Sequence, residues 1–257
     1  MKPVLENSPL LRPLWRRVFG RAWVLNLVLF VLLGCLRAYG ILGPAREGVR
    51  QLIMAGFLLM WFLPFVFFDG NGRQVMGLKK VDRPIWLLWG VLLGAAASLV
   101  VFAIGFLLYG RGADNWYVAI SQQYLIDDSL SQLPRFGLIA MFTVPAMLFS
   151  PIGEEFFFRG MVHESVNGRW GERAATLVNG LAFSAVHFLH YGIARDAGGW
   201  RFRLLPGMLW VLLMMGTSWL FTLCRKRSGS IWPAVLGHSI FNVVMNLTVF
   251  LILLQGG

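Results

Sequence analysis

Residues 136–161 read FGLIAMFTVPAMLFSPIGEEFFFRGM, an apolar run of membrane-crossing length that nevertheless carries Glu154, Glu155 and Arg159. About 20 apolar residues cross ~30 Å of hydrocarbon. A charged side chain at the centre of such a helix costs roughly 2.5–3.5 kcal/mol on insertion scales. Charges kept there against that cost usually face a protein-lined or wet cavity and carry function. Two later apolar runs each hold a histidine, His187 and His238.

Working outward, the same kind of apolar block recurs along a 257-residue chain whose mean hydropathy is +0.66 and of which only 14% is charged. Seven blocks have the length of spans: 23–36 (reaching towards residue 42, with Arg37 interrupting it), 52–68, 85–109, 136–153, 174–189, 204–223 and 231–254. A large soluble core is excluded. The expected fold is all-α, a polytopic transmembrane helical bundle of about seven spans. A three-span N-terminal region (residues 1–135) and a core (residues 136–257) form one integral membrane domain.

The net charge of +11 raises nucleic acid as a partner, but its distribution argues against one. With the N-terminus cytoplasmic, the inner segments hold fifteen Lys and Arg, from Lys2 to Arg227. Arg37, Arg46, Arg50, Arg111, Arg135, Arg195, Arg201 and Arg203 fall outside, and the outer loop 110–134 adds Asp114, Asp127 and Asp128. That asymmetry is the positive-inside pattern. Basic charge here sets topology and attracts anionic membrane lipid; no nucleic acid is expected. Cys35 and Cys224 fall on opposite predicted sides and show no metal-ligand spacing. WRRVFGR at 15–21 faintly resembles a twin-arginine signal, but an uncleaved first helix is expected.

Helical periodicity supplies the geometry, because residues four apart share a face. Glu155 and Arg159 stack as an ion pair. Glu154 points elsewhere and is left as the free, reactive carboxylate, the roles reversing if the helix breaks at 151–153. Phe183 and His187 are four apart, as are His238 and Asn242. An imidazole and a carboxamide on one face can donate to a developing oxyanion, or the imidazoles can ligate a metal. A lone intramembrane His is often only a helix–helix hydrogen-bond partner, and a lone Glu–Arg pair often a topological anchor. The coincidence of all three on three helices favours a site. His163 and His190 lie near predicted span ends and are expected to be solvated or interfacial. The run Phe156, Phe157 and Phe158, the Met-rich VLLMMG at 211–216 and most tryptophans are expected to face lipid.

In order, Glu154-Glu155-x-x-x-Arg159, Phe183-x-x-x-His187 and His238-x-x-x-Asn242 resemble the three motifs of the CAAX-protease and bacteriocin-processing (CPBP) membrane proteases, a family that includes the type II CAAX prenyl endopeptidases. The resemblance covers residue 136 to about 246. It implies that residues 136–257 form the catalytic core of an intramembrane endopeptidase. Glu154 and His187 would activate the attacking water, His238 and Asn242 would steady the oxyanion, and Glu155, Arg159 and Phe183 would shape the site. The family's usual label is metalloprotease, with Glu154, His187 and His238 as a plausible ligand set for Zn. A metal-free, glutamate-activated water is also proposed for the family and is the chemistry favoured here; no H-E-x-x-H occurs.

The implied substrate is a hydrophobic peptide or membrane protein, and the implied location the bacterial inner membrane. Two other classes remain. One is a catalytically silent binding or regulatory protein of the same fold. The other is an ion or proton transporter, which lacks the internal repeat it would need. Depth adds a condition. Glu154, His187 and His238 can converge only if the fourth helix continues past Arg159 and the fifth starts deeper, with a break at 168–171.

Overall fold

The computed structural model describes residues 10–43, 49–124, 132–196 and 199–254. Lys2, Arg46, Asp127, Asp128 and Gly257 lie outside them, as do the side chains of Arg50 and Arg195. In hydrocarbon every backbone polar group must be satisfied within the protein, which selects helices. The chain forms α1 (Pro13–Phe19), α2 (Ala22–Leu42), α3 (Val49–Phe67), α4 (Gly70–Val75), α5 (Ile85–Tyr109) and α6 (Trp116–Ser121), the last followed by a 3-10 turn Gln122–Tyr124. Then come α7 (Arg135–Glu154), a π-helical segment π1 (Glu155–Val162), α8 (His163–Tyr191), α9 (Leu204–Ser228), α10 (Trp232–Thr248) and a second π segment π2 (Val249–Leu253). Between α8 and α9 lies an antiparallel pair of short strands absent from the all-helical expectation, β1 (Ile193–Asp196) and β2 (Gly199–Phe202), with Ile193 opposite Phe202.

Five helices are long and apolar enough to cross a membrane, and the apolar part of α3, Gln51–Phe67, is shorter. The expected fourth and fifth spans are one continuous helical stretch of 57 residues, Arg135–Tyr191. At 1.5 Å per residue that is about 85 Å, far beyond the hydrocarbon thickness. The stretch is divided by Gly171, whose φ of 80° and ψ of 172° are non-helical. A side chain is disfavoured at such a φ, so glycine is the natural residue there. The fourth helix therefore does run on past Arg159, and the break falls at the end of 168–171.

Without a hydrophobic drive between helices in lipid, close packing rests on small residues. A Cβ on Gly94 of α5 would lie 2.0 Å from Gly237 O of α10, and one on Gly90 would lie 2.4 Å from Pro233 O. Gly153 does the same for α7, where a Cβ would meet Phe57 O of α3 at 2.6 Å. The two α5 contacts are with α10, the most deeply buried of the long helices. In Trp232–Leu253 56% of the most apolar stretch is buried, against 17–33% in the other four long helices.

Hydropathy misplaced several side chains, because it does not tell lipid from protein interior. Phe156, Phe157 and Phe158 are buried in the protein, not lipid-facing, as are Met214 of VLLMMG and the tryptophans Trp116 and Trp210, whose rings stack at 5.9 Å. The outer loop is also partly internal. Trp116 and Tyr117 are fully buried, and the Tyr117 hydroxyl meets Ser98 Oγ at 2.9 Å.

Candidate active site

The site is built where regular helix fails. Pro151 has no N–H to give the carbonyl four residues back, and that carbonyl, Met147 O, instead accepts from Ser239 Oγ of α10 at 2.8 Å. The next residue pair repeats the contact, Asn242 Nδ2 donating to Ala146 O at 2.8 Å. Directly after Glu154 the helix widens into π1, and π segments of this kind often mark functional sites. Its carbonyl of Met161 takes a hydrogen bond from Asn26 Nδ2 of α2 at 2.8 Å.

This framework brings the predicted residues together with different partners. Arg159 Nη1 lies 3.1 Å from Glu155 Oε1, both side chains fully buried. The contact lacks hydrogen-bond geometry, and the guanidinium also lies over Phe183, 4.1 Å from its centroid, and nearer its rim over Phe221. Glu155 Oε1 is at the same time 2.8 Å from His238 Nδ1. A carboxylate accepts, so Nδ1 carries the proton and His238 Nε2 is turned the other way, 3.9 Å from Glu154 Oε2. His187 is anchored likewise. Its Nδ1 donates to Phe183 O at 2.8 Å, which leaves Nε2 as a lone-pair acceptor in the neutral ring.

Glu154 is not the unpaired carboxylate that helical spacing gave. Its Oε1 accepts from Arg37 Nη1 of α2 at 2.8 Å, and both groups are buried. Its Oε2 has no hydrogen-bond partner among the described residues. Arg37, expected at an outer span end, sits inside α2, and its other nitrogens reach His190 at 3.1 and 2.9 Å. His190 is therefore part of the site's surroundings and not an interfacial residue. Arg37 was visible in the sequence as the one charge interrupting the first apolar block, but nothing there tied it to Glu154, 117 residues on.

His163 is corrected as well. It is fully buried, with Nδ1 3.0 Å from Glu164 and Nε2 3.2 Å from Glu172. Glu164 also meets Arg225 Nη1 at 2.7 Å, and Glu172 meets Lys226 Nζ at 2.6 Å. Arg225 and Lys226 of α9 thus neutralise the carboxylates of segment 163–172.

A cavity of about 440 Å³ opens beside the first cluster. Arg37, His187, His190, His238 and Asn242 line it, with walls of Phe142, Phe149, Trp210, Phe221 and methionines. Glu154 stands immediately behind Arg37 and His238. The metal reading does not fit this arrangement. Among the described residues no three His, Cys, Asp or Glu side chains group as metal ligands, and a guanidinium already occupies one oxygen of Glu154.

No curated protein and no solved structure matches the chain. The sequence profile described as type II CAAX prenyl endopeptidase Rce1-like matches residues 136–244. That stretch holds both glutamates, Arg159, both cavity histidines and Asn242, and it leaves Arg37 outside. Over residues 136–244, less than half of its length, the chain is similar to the Rce1-like type II CAAX prenyl endopeptidases.

Proposed function

We propose that the protein is an intramembrane endopeptidase that hydrolyses a hydrophobic or membrane-tethered peptide with a carboxylate-activated water. The observation that carries this reading is the approach of Glu154 Oε2 and His238 Nε2 to 3.9 Å at the edge of an apolar cavity that His187 and Asn242 also line. A polar gap of that width is one that a water bridges. Glu154 Oε2 takes the water's proton as its oxygen attacks the scissile carbonyl, and His187 Nε2 orients the same water. Asn242 keeps a second N–H beside the one given to Ala146 O. With a doubly protonated His238, whose Nδ1–H stays on Glu155 and whose Nε2–H faces the site, it supports the carbonyl oxygen as it gains charge. Collapse breaks the C–N bond, and the proton held by Glu154 passes to the departing amine.

Membrane lipid surrounds the bundle in this reading, and the bacterial inner membrane, with the N-terminus cytoplasmic, is its location. The substrate enters among the Phe and Met side chains of the cavity wall. Purified protein in liposomes should cut a membrane-tethered hydrophobic peptide. Absence of any fragment across a panel of such peptides would reject the reading in favour of a silent binding protein.

Seven passes follow if the 57-residue helix crosses twice around Gly171. Cysteines placed at Ala113 and Arg227, both exposed, in a background without Cys35 and Cys224, should then label from opposite sides. Labelling from one side would make that helix a single pass. Ser228, fully buried, would be a misleading probe.

A further inference from the structure

α2 lies outside the stretch that the family profile matches, yet it delivers a charge to the site. Its buried residues are Leu25, Asn26, Leu33 and Arg37. Asn26 and Arg37 are close to three helical turns apart and so project from one face. At one end of that face Asn26 holds Met161 O at 2.8 Å and Ser165 Oγ at 2.9 Å. At the other end Arg37 holds Glu154 Oε1 at 2.8 Å. The guanidinium is itself fixed, by His190 at 3.1 and 2.9 Å and by the Phe57 ring, 5.3 Å from its centroid.

This arrangement sorts the two oxygens of Glu154. Oε1 is occupied by Arg37, while Oε2 has no hydrogen-bond partner among the described residues and lies 3.9 Å from His238 Nε2. It also balances charge, since Glu155 is matched by Arg159 and Glu154 by Arg37. An isolated carboxylate in an apolar interior gives up its charge, and with it its use as a base. We infer that Arg37 is a positioning residue for the hydrolytic reaction: it selects the carboxylate oxygen of Glu154 that faces the reacting water and supplies its counter-charge. This rests on the protease reading above. It places an essential part of the site in the N-terminal region, where the family profile does not reach.

The test uses the full-length protein in liposomes with a tethered peptide. Arg37→Ala should lower kcat about 10–100-fold with KM little changed, the usual cost of losing a group that orients a reacting one. Arg37→Lys should recover much of that loss. Because Arg37 lines the cavity, added guanidinium ion should also restore Arg37→Ala, and should not restore Glu154→Gln. Asn26→Ala loosens the same helix face away from the carboxylate, so it should lower Tm and leave kcat per folded molecule unchanged. If the alanine variant of Arg37 does not accumulate, Arg37→Gln carries the kcat comparison.

Independently of activity, the melting of Arg37→Ala, Glu154→Gln and the double variant should be non-additive, as expected of residues in contact. Additive melting overturns the pair. Wild-type kcat in Arg37→Ala, or a loss that neither lysine nor guanidinium repairs, overturns the positioning role. If the wild type cuts nothing while melting is non-additive, the protease reading is what fails, and Arg37 retains only a structural pair.

Discussion

Two charge clusters lie on the same long helix, one at the start of π1 and within it, the other directly after it, and they differ in how completely their groups are used. In the cluster around Glu154 and Glu155, one oxygen of each carboxylate and all three nitrogens of Arg159 lack a hydrogen-bond partner among the described residues, and a cavity opens beside them. In the cluster around His163, no carboxylate oxygen is buried without a partner among the described residues, and His163 Nε2, 3.2 Å from Glu172, is the one buried nitrogen without hydrogen-bond geometry. Glu164 takes His163 and Arg225, while Glu172 takes His163, Lys226 and the Thr176 hydroxyl. No residue of the second cluster lines the cavity. Burial of charge is common to both, so burial alone does not mark the reactive site. Spare hydrogen-bonding capacity beside space for a substrate does.

The largest expected effect is on the spare oxygen. Glu154→Gln keeps shape and removes the base, so cleavage should fall by about 10²–10⁴-fold, the usual worth of a positioned proton acceptor. Melting should fall as well, because Arg37 is left buried without its counter-charge, so cleavage is compared per folded molecule. A variant that kept a tenth of the activity would erase the distinction between the clusters. His187→Ala and His238→Ala should each abolish most cleavage, and the double variant should cost little more than either, because groups that act as a unit fail together. Multiplying losses would mean that the two rings have separate packing roles.

The cluster around His163 should answer in stability instead. Glu164→Gln removes the carboxylate that neutralises Arg225, which keeps only the backbone carbonyls of Val75 and Met76, and one of the two that meet His163; breaking a buried pair costs about 3–5 kcal/mol. Thermal unfolding in detergent should show that loss, while cleavage per folded molecule stays within a factor of two or so. Severe loss of cleavage at unchanged Tm would place the second cluster in the chemistry. Adding Arg225→Met to Glu164→Gln should return part of the stability, since an uncompensated buried charge is then removed.

The sequence made one of these clusters readable and hid the other, for physical reasons. Glu154, Glu155 and Arg159 stood out because apolar neighbours made their cost visible, and the pairing of Glu155 with Arg159 followed from spacing alone. His238 and His187 stood out in the same way. The segment 163–173 is mostly polar, so His163 resembled a solvated residue at a span end. Its burial depends on Arg225 and Lys226, some sixty residues later, and local pattern carries no trace of that contact. The partner of Glu154 was hidden likewise, because an ion pair between α2 and α7 is a tertiary event. The π segment also escaped periodicity, which assumes 3.6 residues per turn throughout.

The smallest expected effect concerns the frame that sets the cavity's spare groups in place. Ser239 adjoins His238 on α10, and its hydroxyl serves a carbonyl that Pro151 has released. Interhelical hydrogen bonds of this kind are worth about 0.6 kcal/mol on average in membranes, and at most about 1.7. Ser239→Ala should therefore shift Tm only slightly, and should lower kcat modestly by loosening the register of His238 against Glu155. The cause can be isolated. Pro151→Ala restores an N–H that can bond Met147 O within the helix, so in that background the hydroxyl has nothing left to satisfy. Ser239→Ala should then leave Tm and kcat where Pro151→Ala put them. An undiminished effect of Ser239→Ala without the proline would show that the hydroxyl acts elsewhere, and that the broken helix is not what aligns α10 with the carboxylates.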